Sequence, residues 1–260
     1  MSGHIEQLHF FGPNISETLG LNCFTSALPS AKLYNIMSGS GEDIGEEKIF
    51  QIFLSEEESK PMLKSYSGIR PNPVGDWPKI DSTSFVDPSA QIMGNVMIGP
   101  KVYVGPQAVI RADEVDSDGK VCPLVIKEES LIQDGVIIHA RSGTYTTIGP
   151  GANIAHGVII HGPCEIGKGC FVALRAAIYN SKLEEEVWIG IGSVVMRTTI
   201  PSHTMIPAGS IIRYGSDISQ FRLTNVKEEE YKKRVFKASG ALRDGYLELY
   251  SQGGFEKGSD

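Results

Sequence analysis

Aliphatic residues recur at every sixth position through the middle of this chain. Val86, Ile92, Ile98, Val104 and Ile110 stand six apart; Ile126, Ile132 and Ile138 resume the spacing; Ile148, Ile154, Ile160, Ile166, Val172 and Ile178 continue it, and Ile189 and Val195 add one more interval. Glycine often follows directly, as in IGP at 98, VGP at 104 and IGK at 166, and small residues fill many of the positions two before. A helix repeats at about 3.6 residues and a strand at about 2, so neither alone sustains a period of six. A solenoid does. Each six-residue unit supplies one short strand and a turn, three units close a triangular coil of eighteen residues, and stacked coils bury a continuous aliphatic column.

Breaks in the register predict loops, because a solenoid tolerates insertions only where they can leave its surface. The step from Ile110 to Ile126 carries four extra residues, and the polar stretch RADEVDSDGKVCP predicts a protruding loop near 112–121. Four more extra residues between Ile138 and Ile148 predict a second loop over ARSGTYTT. From Ile178 to Ile189 one residue is missing, around SKLEEE.

Beyond the repeat, residues 216–260 change character. Asn225 with Glu228 reads as a capping box, and Val235, Ala238, Leu242, Tyr246 and Leu249 predict an amphipathic helix lying along the prism through those side chains. Residues 1–65 carry no repeat; IEQLHFF, AKLYNIM and KIFQIFLS predict short strands of a small appended module. The expected organisation is therefore an N-terminal module over 1–65, a mainly β solenoid over 66–215, and a C-terminal helix and tail over 216–260.

Composition narrows the function. Of the 260 residues, 41% are hydrophobic and 21% charged, and no apolar run approaches the roughly 18 to 20 residues of a membrane helix. The first residues lack a basic segment followed by an apolar stretch, so a cytoplasmic protein is expected. A net charge of −7 opposes nucleic acid or an anionic membrane as principal partner. Cys23, Cys122, Cys164 and Cys170 fall in no metal-binding or disulfide spacing and read as free thiols.

Of six histidines, His4, His9 and His203 read as structural or exposed. His139 and His161 each follow an inward isoleucine directly, so they share a phase. They are 22 residues apart, and without the four inserted residues that is one full coil, which stacks them on one outer face. Two imidazoles on adjacent rungs can share one metal ion. His156 falls at a corner or on the preceding face of the same coil and points elsewhere. A neighbouring copy could present its own His156 to this pair, which three-fold symmetry would do three times.

Together these residues resemble the γ-class carbonic anhydrases, trimeric left-handed parallel β-helices of the hexapeptide-repeat superfamily. The likeness covers roughly residues 66–250 and runs through YSGIRPNPVGDWP, IRADE at 110–114, IQDGVIIHA at 132–140, NIAHGVIIHGP at 153–163 and the IPAG segment. It implies a homotrimer in which His139 and His161 of one subunit and His156 of the next hold zinc, with iron or cobalt as alternatives. Gln133 lies six residues before His139 in the same outward phase, so its amide could orient metal-bound hydroxide or bicarbonate; the resemblance also implies that Arg111 and Asp113 form an intersubunit ion pair with Asp134 in the same network, and that Glu114 relays the proton. The implied reaction is reversible hydration of carbon dioxide to bicarbonate, the ion lowering the pKa of its water to about 7. Two positions depart from the pattern of the best-studied members: ARSGTYTT has no carboxylate where they have an acidic loop, and Leu131 stands where they have asparagine. The alternatives are a catalytically weak or inactive metal-binding trimeric scaffold of the same family and, with less support, a hexapeptide acyltransferase using one histidine as general base.

Overall fold

A computed structural model describes residues 68–252. The predicted N-terminal strands, His4, His9 and Cys23 lie outside the described residues. Within them the chain winds as a left-handed β-solenoid of short parallel strands that form three sheets. The first face has eight strands, Ile69–Arg70, Gln91–Gly94, Val109–Ala112, Ile137–His139, Ile159–His161, Ala177–Tyr179, Val194–Met196 and Ile211–Arg213. The second runs through seven from Lys79–Ile80 to Thr199–Ile200, and the third through seven from Phe85–Val86 to Met205–Ile206.

The period of six becomes packing in this way. Ile138 lies in register with Ile110 on one side and Ile160 on the other, and Ile160 with Ile178, so the aliphatics form a column inside the prism. All four are essentially inaccessible to solvent. Each such burial contributes about 1.5–3 kcal/mol relative to exposure. The glycine after the aliphatic is explained by the next coil: a Cβ on Gly167 would stand 2.4 Å from the Glu184 carbonyl oxygen, and one on Gly190 2.4 Å from the Ala208 nitrogen.

Both predicted loops are present, between Ala112 and Leu124 and between His139 and Thr146. The missing residue falls between Ile178 and Leu183, which takes the inward place opposite Ile166.

The three outer faces differ. The third carries the aromatic residues Phe85, Tyr103, Phe171 and Trp188, and the helix Val226–Ser251 lies over it. Asn225 caps that helix, its side chain accepting from Lys227 N while Glu228 reaches back to the Asn225 N–H, as the capping box predicts. The packed side of the helix is turned from the predicted one. Val235 and Tyr246 pack as expected, joined by Phe236 and Leu247, but Leu242 is 48% exposed and Ala238 also faces solvent. Lys232 and Ser239 are buried instead, because polar groups on the prism receive them: Lys232 Nζ pairs with Glu186 and donates to the Gly169 carbonyl, and Ser239 meets Gln133. The second face is mixed, with Met97 and Val125 outward on its earlier coils and Thr147, Glu165, Lys182 and Thr199 outward beyond them. The first face carries Ile137, Ile159 and Ile211 at 40%, 45% and 68% exposure, with no helix over it among the described residues. Among the described residues no helix is long and apolar enough to cross a membrane.

Candidate metal centre

Strands Val109–Ala112, Ile137–His139 and Ile159–His161 place Arg111, His139 and His161 on successive rungs of the first face, all pointing outward. The two imidazoles meet edge to face with ring centroids 5.0 Å apart. His139 Nε2 and His161 Nδ1 are both buried with no hydrogen-bond partner. Two orphaned imidazole nitrogens on adjacent rungs suit a divalent ion, because a buried polar atom without a partner costs free energy that a metal bond removes. Burial, followed by the nearby Arg111 charge, holds the His139 pKa below the usual histidine range, so the ring is the neutral ligand form at pH 7.

The two inserted loops meet beside His139. Ser142 in the second donates its backbone N–H to Glu114 Oε2 in the first at 2.9 Å, and its hydroxyl donates to the Val115 carbonyl at 3.0 Å. Glu114 Oε1 stands 3.1 Å from His139 Nε2 without hydrogen-bond geometry. The Ser142 amide lowers the Glu114 pKa, against a smaller opposing effect of burial. Arg111 Nε donates to Asp113 Oδ1 at 2.8 Å, so these two residues pair within one chain.

Gln133, Asp134 and His156 sit elsewhere, at the corner between the third and first faces. Asp134 and His156 occupy the same place on successive coils, with Asp134 Oδ2 3.3 Å from His156 Nδ1, and both are about half exposed. Gln133 does share a sequence phase with His139, but one face earlier in its coil; there it is buried and donates from Nε2 to Ser239 Oγ at 3.0 Å. One coil and two coils past His156 the corner turns apolar, with Leu174 and Ile191 at 39% and 55% exposure. The eight predicted site residues thus fall into two separate groups, and among the described residues no group of three or more histidine, cysteine or acidic side chains is arranged to hold a metal. His203 is exposed in a turn, Cys164 and Cys170 are buried free thiols, and Cys122 is free and half-buried.

The part played by Ser239 was not foreseen from sequence, since a serine in a polar helix gives no signal of its own. The Ser142 contact to Glu114 was equally hidden, because it is made by the backbone.

No family model matches the chain. It is 30% identical over 214 residues to a carbonic anhydrase of Methanosarcina thermophila, covering 73% of this chain and 81% of that protein. It is 28% identical over 179 residues to the carboxysome assembly protein CcmM of Nostoc sp., of whose length it spans only 31%. It is 30% identical over 172 residues to the carnitine operon protein CaiE of Escherichia coli, covering 64% of this chain and 83% of that one. Among solved structures, a hexapeptide transferase family protein of Anaplasma phagocytophilum superposes with a TM-score of 0.57 at 25% identity, over 68% of this chain and 97% of that one.

Proposed function

Because the chain belongs to the γ-class carbonic anhydrase family, we propose that it hydrates carbon dioxide reversibly to bicarbonate at a metal site shared between copies of itself. The observation that carries this reading is the in-register pair His139 and His161, with buried, unpartnered ring nitrogens on a face that also exposes Ile137 and Ile159. Within one chain the third histidine faces away, so the site needs a second copy. Three copies around an axis along the prism would set the corner of His156, Leu174 and Ile191 against the next copy's Ile159 and histidine pair, burying both apolar columns.

In that assembly His139 and His161 of one copy and His156 of the next would hold the ion, zinc or an alternative divalent metal such as iron or cobalt. A divalent ion on three imidazoles supplies a hydroxide nucleophile from water at neutral pH. The protein's own groups do the rest. His139, kept neutral by burial, is ready to bind without first losing a proton. Asp134 beside His156 Nδ1 orients that ring and leaves Nε2 to face the partner copy. Gln133, anchored by Ser239, holds its amide in one orientation for a bicarbonate oxygen. Arg111 and Asp113 stabilise the loop that carries Glu114. Glu114, ionised at neutral pH and fixed by the Ser142 amide, keeps Oε1 beside His139 and accepts the proton released in each turnover.

The test is metal content and stopped-flow carbon dioxide hydration on anaerobically purified protein, with sedimentation to count the copies. About one metal per chain, hydration, and loss of both in His156→Ala support the reading. Metal without hydration in the parent would favour the non-catalytic scaffold of the same family.

A further inference from the structure

The three candidate ligand histidines are supported in two different ways. His139 and His156 each stand beside a carboxylate, Glu114 Oε1 3.1 Å from the first and Asp134 Oδ2 3.3 Å from the second. A carboxylate next to a ligand imidazole is the common means of fixing its orientation. His161 is held otherwise. Its Nδ1 is buried without a hydrogen-bond partner, and an aromatic ring stands on the rung to either side of it. His139, one rung before, meets the His161 ring edge to face with centroids 5.0 Å apart. Tyr179, one rung beyond, lies against it with centroids 5.5 Å apart and planes inclined at 37°.

The backbone carries these rings at a fixed spacing. Gly162 N–H donates to the His139 carbonyl at 2.8 Å, Asn180 N–H to the His161 carbonyl at 3.1 Å and Arg197 N–H to the Tyr179 carbonyl at 2.9 Å. Tyr179 is also held from its far side, through a change in the repeat. Inward residues on the first and second faces are six apart at Ile160 and Ile166, but five apart at Ile178 and Leu183 and at Val195 and Ile200. Asn180 and Arg197 occupy the two shortened turns with left-handed backbone, φ 46° and 51°. Ser181 Oγ donates to the Tyr179 carbonyl at 2.8 Å, and the Arg197 guanidinium carbon comes within 5.7 Å of the Tyr179 ring centroid. A guanidinium over an aromatic face is attracted by the ring quadrupole, so Arg197 restrains a ring that is only half-buried.

We propose that Tyr179, clamped by Arg197, is the positioning residue of His161: its ring fixes the imidazole orientation that the other two histidines take from carboxylates. An imidazole already confined to one rotamer loses less freedom when it binds an ion, so the packing favours metal binding. That consequence rests on the metal site proposed above; the ring packing does not.

The experiment compares Tyr179→Phe, Tyr179→Ala and Arg197→Gln with the parent, each as the full chain stripped of metal and checked by size exclusion. Crystal structures read the His161 rotamer, and competition with a chromophoric chelator reads zinc affinity. Tyr179→Phe keeps the ring, so it should keep the His161 rotamer and bind zinc within about twofold of the parent. Tyr179→Ala should spread His161 over more than one rotamer and bind zinc about 10–100-fold more weakly, as when other supports of a ligand histidine are removed. Arg197→Gln should fall between, a few-fold below the parent. An unchanged single rotamer in Tyr179→Ala overturns the proposal, and so does unchanged zinc affinity, since the ion would then orient the ring unaided. A Tyr179→Phe protein as weak as Tyr179→Ala overturns it too, because the ring would not be the agent. If Tyr179→Ala does not assemble, the exposed Arg197→Gln decides, and parent-like rotamer and affinity there overturn the clamp. A parent that binds no zinc defeats the proposed function instead, and the rotamer comparison still settles the role of Tyr179.

Discussion

The backbone N–H of Ser142 donates to Glu114 Oε2 at 2.9 Å, joining the two loops inserted into the repeat and holding the other carboxylate oxygen beside His139. The second loop contains no carboxylate, so its contribution is to fix one from the first. Glu114→Ala should therefore lower hydration at least about tenfold in dilute buffer while leaving metal content unchanged. Concentrated imidazole buffer should restore part of the rate by carrying the proton instead, as stopped-flow measurements across buffer concentrations would show.

A site divided between copies makes a prediction about mixtures. His139→Ala and His156→Ala should each lose metal and hydration alone. Unfolded and reassembled together, they should regain both at interfaces where an intact His139 and His161 meet an intact His156. A site complete within one chain would give no recovery.

Lys232 is nearly buried under the C-terminal helix, paired with Glu186 and, at 3.1 Å, with Glu229. Burial works against its charge, but the two carboxylates together outweigh it and raise the pKa above the usual 10.5. A raised folded-state pKa contributes stability that is complete below about pH 10.5 and is lost as pH rises through the folded value. Lys232→Met should cost about 1–2 kcal/mol at pH 8, less than for a fully buried pair because both glutamates are partly exposed. The difference in Tm between parent and variant should shrink as the pH is taken above that range.

Asn153 lies on the third face between Leu131 and Phe171, and both polar atoms of its amide are buried without a partner. Asn153→Val suits the strand and removes the unpaired amide, so thermal denaturation should show a gain of about 1 kcal/mol. A fall in Tm would mean that ordered water satisfies the amide.

Ile160 is fully buried in the column between Ile138 and Ile178. Ile160→Ala should cost about 2–5 kcal/mol in urea denaturation, because coils above and below cannot close the cavity without breaking their own register.

The sequence by itself determined the coil. An inward aliphatic every sixth residue, with glycine where the next coil approaches, is a local rule repeated along the chain, so it fixes strand positions, both loops and the stacking of His139 on His161. It also separated His156 from that pair, because phase within a coil is arithmetic. Tertiary structure decided what lies between coils and against the helix. Phase alone related Gln133 to His139, yet the prism turns a corner between them, and Gln133 meets Ser239, 106 residues away. The helix presents Lys232 and Ser239 rather than Leu242 to the prism, since the partners that draw them inward, Glu186 and Gln133, lie on distant coils. Likewise the deletion near SKLEEE was legible as a count, but its place between Ile178 and Leu183 is set by the register of Leu183 with Ile166 on the preceding coil. Spacing along one strand of chain specifies a repeat; which side chains meet across it is set by the closure of the coils and the seating of the helix on one of three faces.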